Sequence, residues 1–146
     1  MLISDLSNAG SLPVLAKALQ FAGQRQRLLV HNIANMDTPD FRPVDVSTGD
    51  FQASLGRAVQ ERRERTGGQR GSLEVEDTHE VRHDGRGGLL LTPRTPSGNV
   101  LYHDRNDRDL ERSMQDLAEN GLMFRVVGDL MRREQDVVRA AISQRV

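Results

Sequence analysis

The last forty residues, Asp107 to Val146, constrain this chain more than any other stretch. Alternating steps of four and three pick out Leu110, Met114, Leu117, Gly121, Phe124, Gly128, Met131, Gln135, Val138 and Ile142. Seven of these ten positions are apolar, two are glycine and one is glutamine, and no proline interrupts them. Such a heptad seam belongs to a helix that packs lengthwise against another helix. At helical rise it makes a rod about 55 Å long. A chain of 146 residues has little use for so long a helix inside a compact globule, so the seam points to assembly.

A second seam lies near the other end: Leu12, Leu15, Leu19, Ala22, Gln26, Leu29, Ile33 and Met36, with seven of eight positions apolar. Ser11 reads as the N-cap and Pro13 falls in the first turn, where its missing N–H costs little. The spacing predicts a first helix over residues 12–36. The bland reading of either seam is one face of an ordinary bundle helix. Two seams at opposite ends of a weak middle fit a mutually coiled pair better. The expected fold is mainly α: two long terminal helices in an antiparallel coiled-coil-like pair, a short middle helix, and a small irregular or β-hairpin insertion. Three regions follow: 1–44 with the first helix and its turn, 45–103 as a variable middle segment, and 104–146 with the last helix.

Composition removes several functional classes. The chain has no cysteine, which rules out disulfides and thiolate metal sites. Charged residues are 28% of the chain, yet the net charge is only −1, so no overall field favours nucleic acid or an anionic membrane. Aromatics at 3% leave little for a large core. No apolar run reaches bilayer length, and the N-terminus shows no cleavable signal peptide.

In the middle segment, residues 50–65 read as an amphipathic helix capped by Asp50, with Phe51, Leu55, Ala58 and Val59 as its apolar stripe. Arg57, Arg62, Arg63 and Arg65 crowd its end, but Glu61 and Glu64 interleave them and no aromatic is available for base stacking, so a solvated face is the better account. Beyond it, Leu89–Leu91 and Val100–Tyr102 flank a Pro- and Gly-containing stretch and are expected to pair as a hairpin; the alternation around Leu73 and Val75 offers another strand. His79-Glu80-Val81-Arg82-His83 matches H-E-x-x-H, the zinc hydrolase pattern. That chemistry needs both histidines one turn apart on a helix, and the glycines at 85, 87 and 88 oppose a helix there. Asp104–Asp109 has a calcium-loop look but places Asp109 where the loop needs glycine, and reads instead as a capping cluster for the last helix.

Between the first helix and the middle lies Asn32-Ile33-Ala34-Asn35-Met36-Asp37-Thr38-Pro39-Asp40-Phe41-Arg42-Pro43. Pro39 and Pro43 push Thr38 and Arg42 out of helical geometry. Asn32 and Asn35 share a face, where their amides can bond the helix end or the departing loop. By spacing alone this is a helix stop with capping asparagines.

The same stretch resembles the N-I-A-N-x-x-T-P-G-Y/F-K signature of the bacterial flagellar rod and hook proteins, carried by Asn32, Ile33, Ala34, Asn35, Thr38, Pro39 and Phe41. Asn106–Arg112, followed by Met114 and Leu117–Asn120, is similar to the D-G-N-N-V-D-L-E-x-E-M…L-A-E-N pattern of the proximal-rod members of that family. Asp40 replaces the usual glycine, and Arg105 and Arg108 replace a glycine and an apolar residue. The resemblance implies a non-catalytic structural subunit of the flagellar basal-body rod, without cofactor or metal. It also implies export by the flagellar type III apparatus without a cleavable signal peptide, and a place in the periplasm-crossing shaft. The implied partners are copies of itself, other rod subunits, and the connector that joins rod to membrane ring. No nucleic acid and no membrane insertion is expected. The alternatives from other classes are a free-standing coiled-coil adaptor and, behind it, a zinc hydrolase at His79, Glu80 and His83.

Overall fold

The structure, a computed structural model, describes residues 10–68, 70–95 and 110–143. In chain order these form helix α1 (Leu12–Ala34), helix α2 (Thr48–Thr66), strands β1 (Val81–His83) and β2 (Leu89–Leu91), and helix α3 (Leu110–Ser143). The two terminal helices lie antiparallel. Asn120 of α3 reaches the Ala22 carbonyl and the Gln26 side chain of α1. Gly128 sits against Leu19. Continued, that register puts Gln135 level with Leu12. Residues 136–143 therefore run on past the start of α1, about 12 Å at helical rise.

Helix α1 has partners on two sides. Leu19, Ala22, Gly23 and Gln26 meet α3. Lys17, Gln20, Phe21, Gln24 and Arg25, spaced three and four apart, meet the middle segment. Lys17 Nζ and Gln20 Nε2 donate to the Gly87 carbonyl and Gln24 Nε2 to that of Leu89. The Phe21 ring stacks on Phe51 of α2 at a centroid distance of 4.0 Å. Around that pair Val46, Val81 and Leu89 close a small core, with Leu28, Leu55 and Leu91 packed at its edge. The core thus joins α1 to the middle, and α3 stands outside it.

Three local expectations are corrected. Helix α2 starts earlier than residue 50, because Ser47 is its N-cap: its Oγ accepts from the Asp50 N–H at 3.1 Å. Gly67 in left-handed geometry closes its far end. Helix α1 ends at Ala34 and not at Met36. Strand β2 pairs with β1, antiparallel, with Val81 opposite Leu91 and His83 opposite Leu89. Val100–Tyr102, the partner expected from sequence, lies outside the described residues. Asp84 organises the tight turn between β1 and β2: its Oδ1 accepts from the backbone N–H of Arg86 at 2.7 Å and of Gly88 at 2.8 Å. Gly85 and Gly87 supply positive φ values of 72° and 87°. Residues around Leu73 form no strand, although Val75 is buried. The capping cluster at 104–109 also lies outside the described residues. Among the described residues no helix is long and apolar enough to cross a membrane.

Candidate functional site: the face of the last helix and the Asn–Thr–Pro turn

Only Asn120 and Val127 of the 34 residues in α3 are buried. The covered positions are Ser113, Asp116, Leu117, Asn120, Gly121, Met123, Val127, Gly128, Met131, Glu134 and Val138. They include Leu117, Gly121, Gly128, Met131 and Val138 of the seam read from sequence, with the buried Asn120 and Val127 beside the two glycines. Of the other seam residues, Leu110, Met114, Phe124 and Ile142 are 42–53% exposed. A Cβ on Gly121 would meet nothing within 4 Å, and one on Gly128 only the Leu19 Cδ1 at 4.0 Å. Neither glycine is needed for packing inside the subunit. The close approach is made by Gly23 of α1, whose Cβ position is 3.4 Å from the Phe124 ring.

A further stripe was not read from the sequence. Leu122, Val126, Leu130 and Val137 are 43–66% exposed. With Ala140 they follow steps of four, four, seven and three, roughly a third of a turn from the covered stripe. The signal was present in the spacing, but the longer seam masked it. Arg132 and Arg139 pair with Asp129 and Asp136 alongside it, at 3.5 and 3.6 Å. These pairs are solvated and contribute little energy.

On α1, Leu29 is buried, while Leu12, Leu15, Leu19 and Ile33 are half-buried and Ala22 is fully covered; Met36, just past its end, is half-buried. Past Ala34 the motif turn folds back on the helix. Asn32, itself buried, donates Nδ2 to the Val44 carbonyl at 2.8 Å and accepts from the Val44 N–H at 3.1 Å. Its amide substitutes for a backbone pair and fixes where the returning chain lies. Asn35 Nδ2 bonds the His31 carbonyl at 2.8 Å, one of those left open at the helix end. The Phe41 N–H returns to the Thr38 carbonyl, with Pro39 and then Asp40 between them. Asp40 has φ +58°, the left-handed geometry that the family's glycine takes without cost. Phe41 stands edge-on to His31, while Ala34, Thr38 and Pro39 are exposed.

Arg25 ties the turn to both terminal helices. It forms a two-point bond to Asp45, 2.9 and 2.7 Å, in a mostly covered site. Burial works against its charge, and Asp45, with Asp116 and Glu119 of α3, more than restores it. Burial pushes the Asp116 carboxyl up, with Arg25 opposing.

The H-E-x-x-H stretch is a bend leading into β1, not a helix turn. Glu80 accepts from the Ser47 N–H at 2.6 Å, and His83 Nδ1 is 2.8 Å from Asp77 Oδ1. Glu80 is thus spent on tying the start of β1 to the cap of α2, and His83 on Asp77 in the preceding loop. No group of three or more metal-ligating side chains gathers among the described residues.

No protein-family model matches the chain. Individual relatives do. The flagellar basal body rod protein FlgB of Yersinia ruckeri is 30% identical over 115 residues, 79% of this chain and 80% of the relative. FlgB of Salmonella typhimurium is 29% identical over 117 residues, 75% of this chain and 76% of the relative. FlgB of Escherichia coli K12 matches with the same identity and coverage. Together with the paired terminal helices and the Asn–Thr–Pro turn, these likenesses show that the chain belongs to the family of the flagellar basal body rod protein FlgB.

Proposed function

We propose that this chain is a structural subunit of the flagellar basal-body rod and that it assembles through the exposed length of α3. One observation carries the reading: a 34-residue helix is held by its own chain along a single stripe, leaving Leu110, Met114, Leu122, Val126, Leu130, Val137 and Ile142 largely in solvent. Helices in proteins gain most of their stability from packing an apolar face. A second face of this kind, continuous over several turns, is an interaction surface. Copies of this chain and other rod subunits are the partners that would cover it, and a head-to-tail contact that does not close yields a helical tube. In that reading the shaft transmits torque, surrounds the export channel, and receives its subunits from the type III apparatus. Its base meets the connector to the membrane ring.

The test uses the full chain, tagged and returned to its own host in place of the original gene. The chain should co-purify with detergent-extracted basal bodies. The L122S/V126S/L130S variant should keep its solution stability within about 0.5 kcal/mol, since these side chains are exposed. It should nevertheless be missing from basal bodies and leave the cells non-motile. Normal incorporation of the variant would move assembly to another face. A parent chain absent from basal bodies and present as a closed cytoplasmic dimer would replace the rod reading with a coiled-coil adaptor.

A further inference from the structure

The seam of α1 contains one polar residue, Gln26, among leucines, isoleucine, methionine and alanine. Helix α3 buries one polar side chain, Asn120, which is 2% exposed. The two meet. Asn120 Nδ2 donates to Gln26 Oε1 at 2.7 Å and to the Ala22 carbonyl at 2.9 Å. The small Ala22 side chain leaves that carbonyl within reach. We infer that Asn120 and Gln26 are a register pin, which selects one antiparallel alignment of the terminal helices from several that the leucine seams alone would accept.

The argument is one of alternatives. Both seams repeat every seven residues, so sliding one helix by a heptad, about 10.5 Å, keeps apolar side chains facing each other. What changes is the polar pair. A slide one way sets Asn120 against Leu29 and Ile33 and Gln26 against Val127. A slide the other way sets Asn120 against Leu15 and Leu19 and Gln26 near Ser113. In both, a buried amide loses its partner. The slide also carries Asp116 and Glu119 away from Arg25, whose charge they help hold.

Maximal stability is not the purpose of such a pair. Asn120 Oδ1 is buried and has no hydrogen-bond partner among the described residues. A leucine pair would avoid that cost and would also accept the wrong alignments. A single polar contact in a repeating apolar seam trades stability for uniqueness. The inference stands without the rod reading. If that reading holds, the pin also sets how far α3 projects beyond α1.

The absence of cysteine makes the test direct, because engineered cysteines have no competitors. In the full-length chain at high dilution, Leu19→Cys is combined in turn with Gly128→Cys for the observed register, and with Gly121→Cys or Gln135→Cys for the two slipped ones. Intramolecular disulfides are read by peptide mass. The parent should cross-link 19 to 128 and give at least tenfold less of either slipped product. In the Q26L/N120L background the slipped products should rise to within about threefold of the 19–128 product, with a thermal midpoint no lower than the parent's. Three results would overturn the pin: a double variant that holds the parent distribution, one that melts lower with its register unchanged, or a parent that cross-links equally in all three.

Discussion

Removing the Phe51 ring should cost more than any other single truncation in α2. The ring is 1% exposed and lies against Phe21, with Val46, Val81 and Leu89 completing the cluster from the loop and the two strands. Phenylalanine-to-alanine changes in cores cost about 3–5 kcal/mol, the larger values where neighbours cannot close the space. Here the lining comes from four separate segments, two of them held in the paired strands, so collapse is limited and about 4 kcal/mol is expected for Phe51→Ala. A folded domain typically holds only about 5–15 kcal/mol in all, so this variant will be close to its unfolding threshold. Phe51→Leu, which keeps most of the volume, should lose about 1.5 kcal/mol or less. Urea unfolding followed by helical circular dichroism reads both. With a slope of about 2 kcal/mol per molar, a 4 kcal/mol loss moves the midpoint by about 2 M. The rings are stacked and near-parallel, 1° apart in plane. A double-mutant cycle with Phe21→Ala should therefore show coupling of about 1 kcal/mol, chiefly from shared apolar contact. A loss below about 1.5 kcal/mol for Phe51→Ala, or strict additivity with Phe21→Ala, would refute a core centred on this pair.

Asn32→Ala leaves both backbone groups of Val44 without their side-chain partner and should cost about 1–3 kcal/mol in chemical denaturation; a loss under about 0.5 kcal/mol would mean the amide does not hold the turn. Asp40→Gly relieves a left-handed residue and should raise stability by about 0.5–1 kcal/mol, while Asp40→Val should lower it by at least about 1 kcal/mol; thermal melts in the opposite order would contradict the turn geometry. Acid should loosen the β1–β2 turn before the helices. The Asp84 carboxyl is held below its ordinary value by the N–H groups of Arg86 and Gly88, and Asp77 by its bonds to His83. Because folding lowers these values, their support is present above the ordinary aspartate pKa of about 3.9 and is lost as pH falls through the folded values. Amide exchange at Gly88 should accelerate in that window, and an Asp84→Asn chain should lack the transition; an identical acid profile in both would remove Asp84 from the account.

What was readable in the sequence follows from which contacts leave a periodic mark. The α1 seam did, and Leu19, Ala22 and Gln26 do face α3. The other working face of the same helix did not, because four of its five contacts come from Lys17, Gln20, Gln24 and Arg25, which look like a solvated surface until the hairpin is in place. On α3 the heptad spacing marks the helix and five of its covered positions, Leu117, Gly121, Gly128, Met131 and Val138. The buried Asn120, being polar, leaves no mark in an apolar pattern. The β1–β2 hairpin leaves little mark in the sequence, because Val81-Arg82-His83 is short and carries one hydrophobic residue, and the Asp84 turn that makes it local leaves no apolar trace. Asp40 departs from the family's glycine in the sequence, yet only the backbone shows that it takes the left-handed geometry a glycine favours.

The placement of α3 outside the Phe21–Phe51 nucleus means that the molecule has two tiers of permanence. That nucleus contains no residue of α3, and among the described residues the last helix packs chiefly on α1. The subunit therefore carries an outer arm on a durable body, and strain along whatever the arm grips reaches that body in large part through α1.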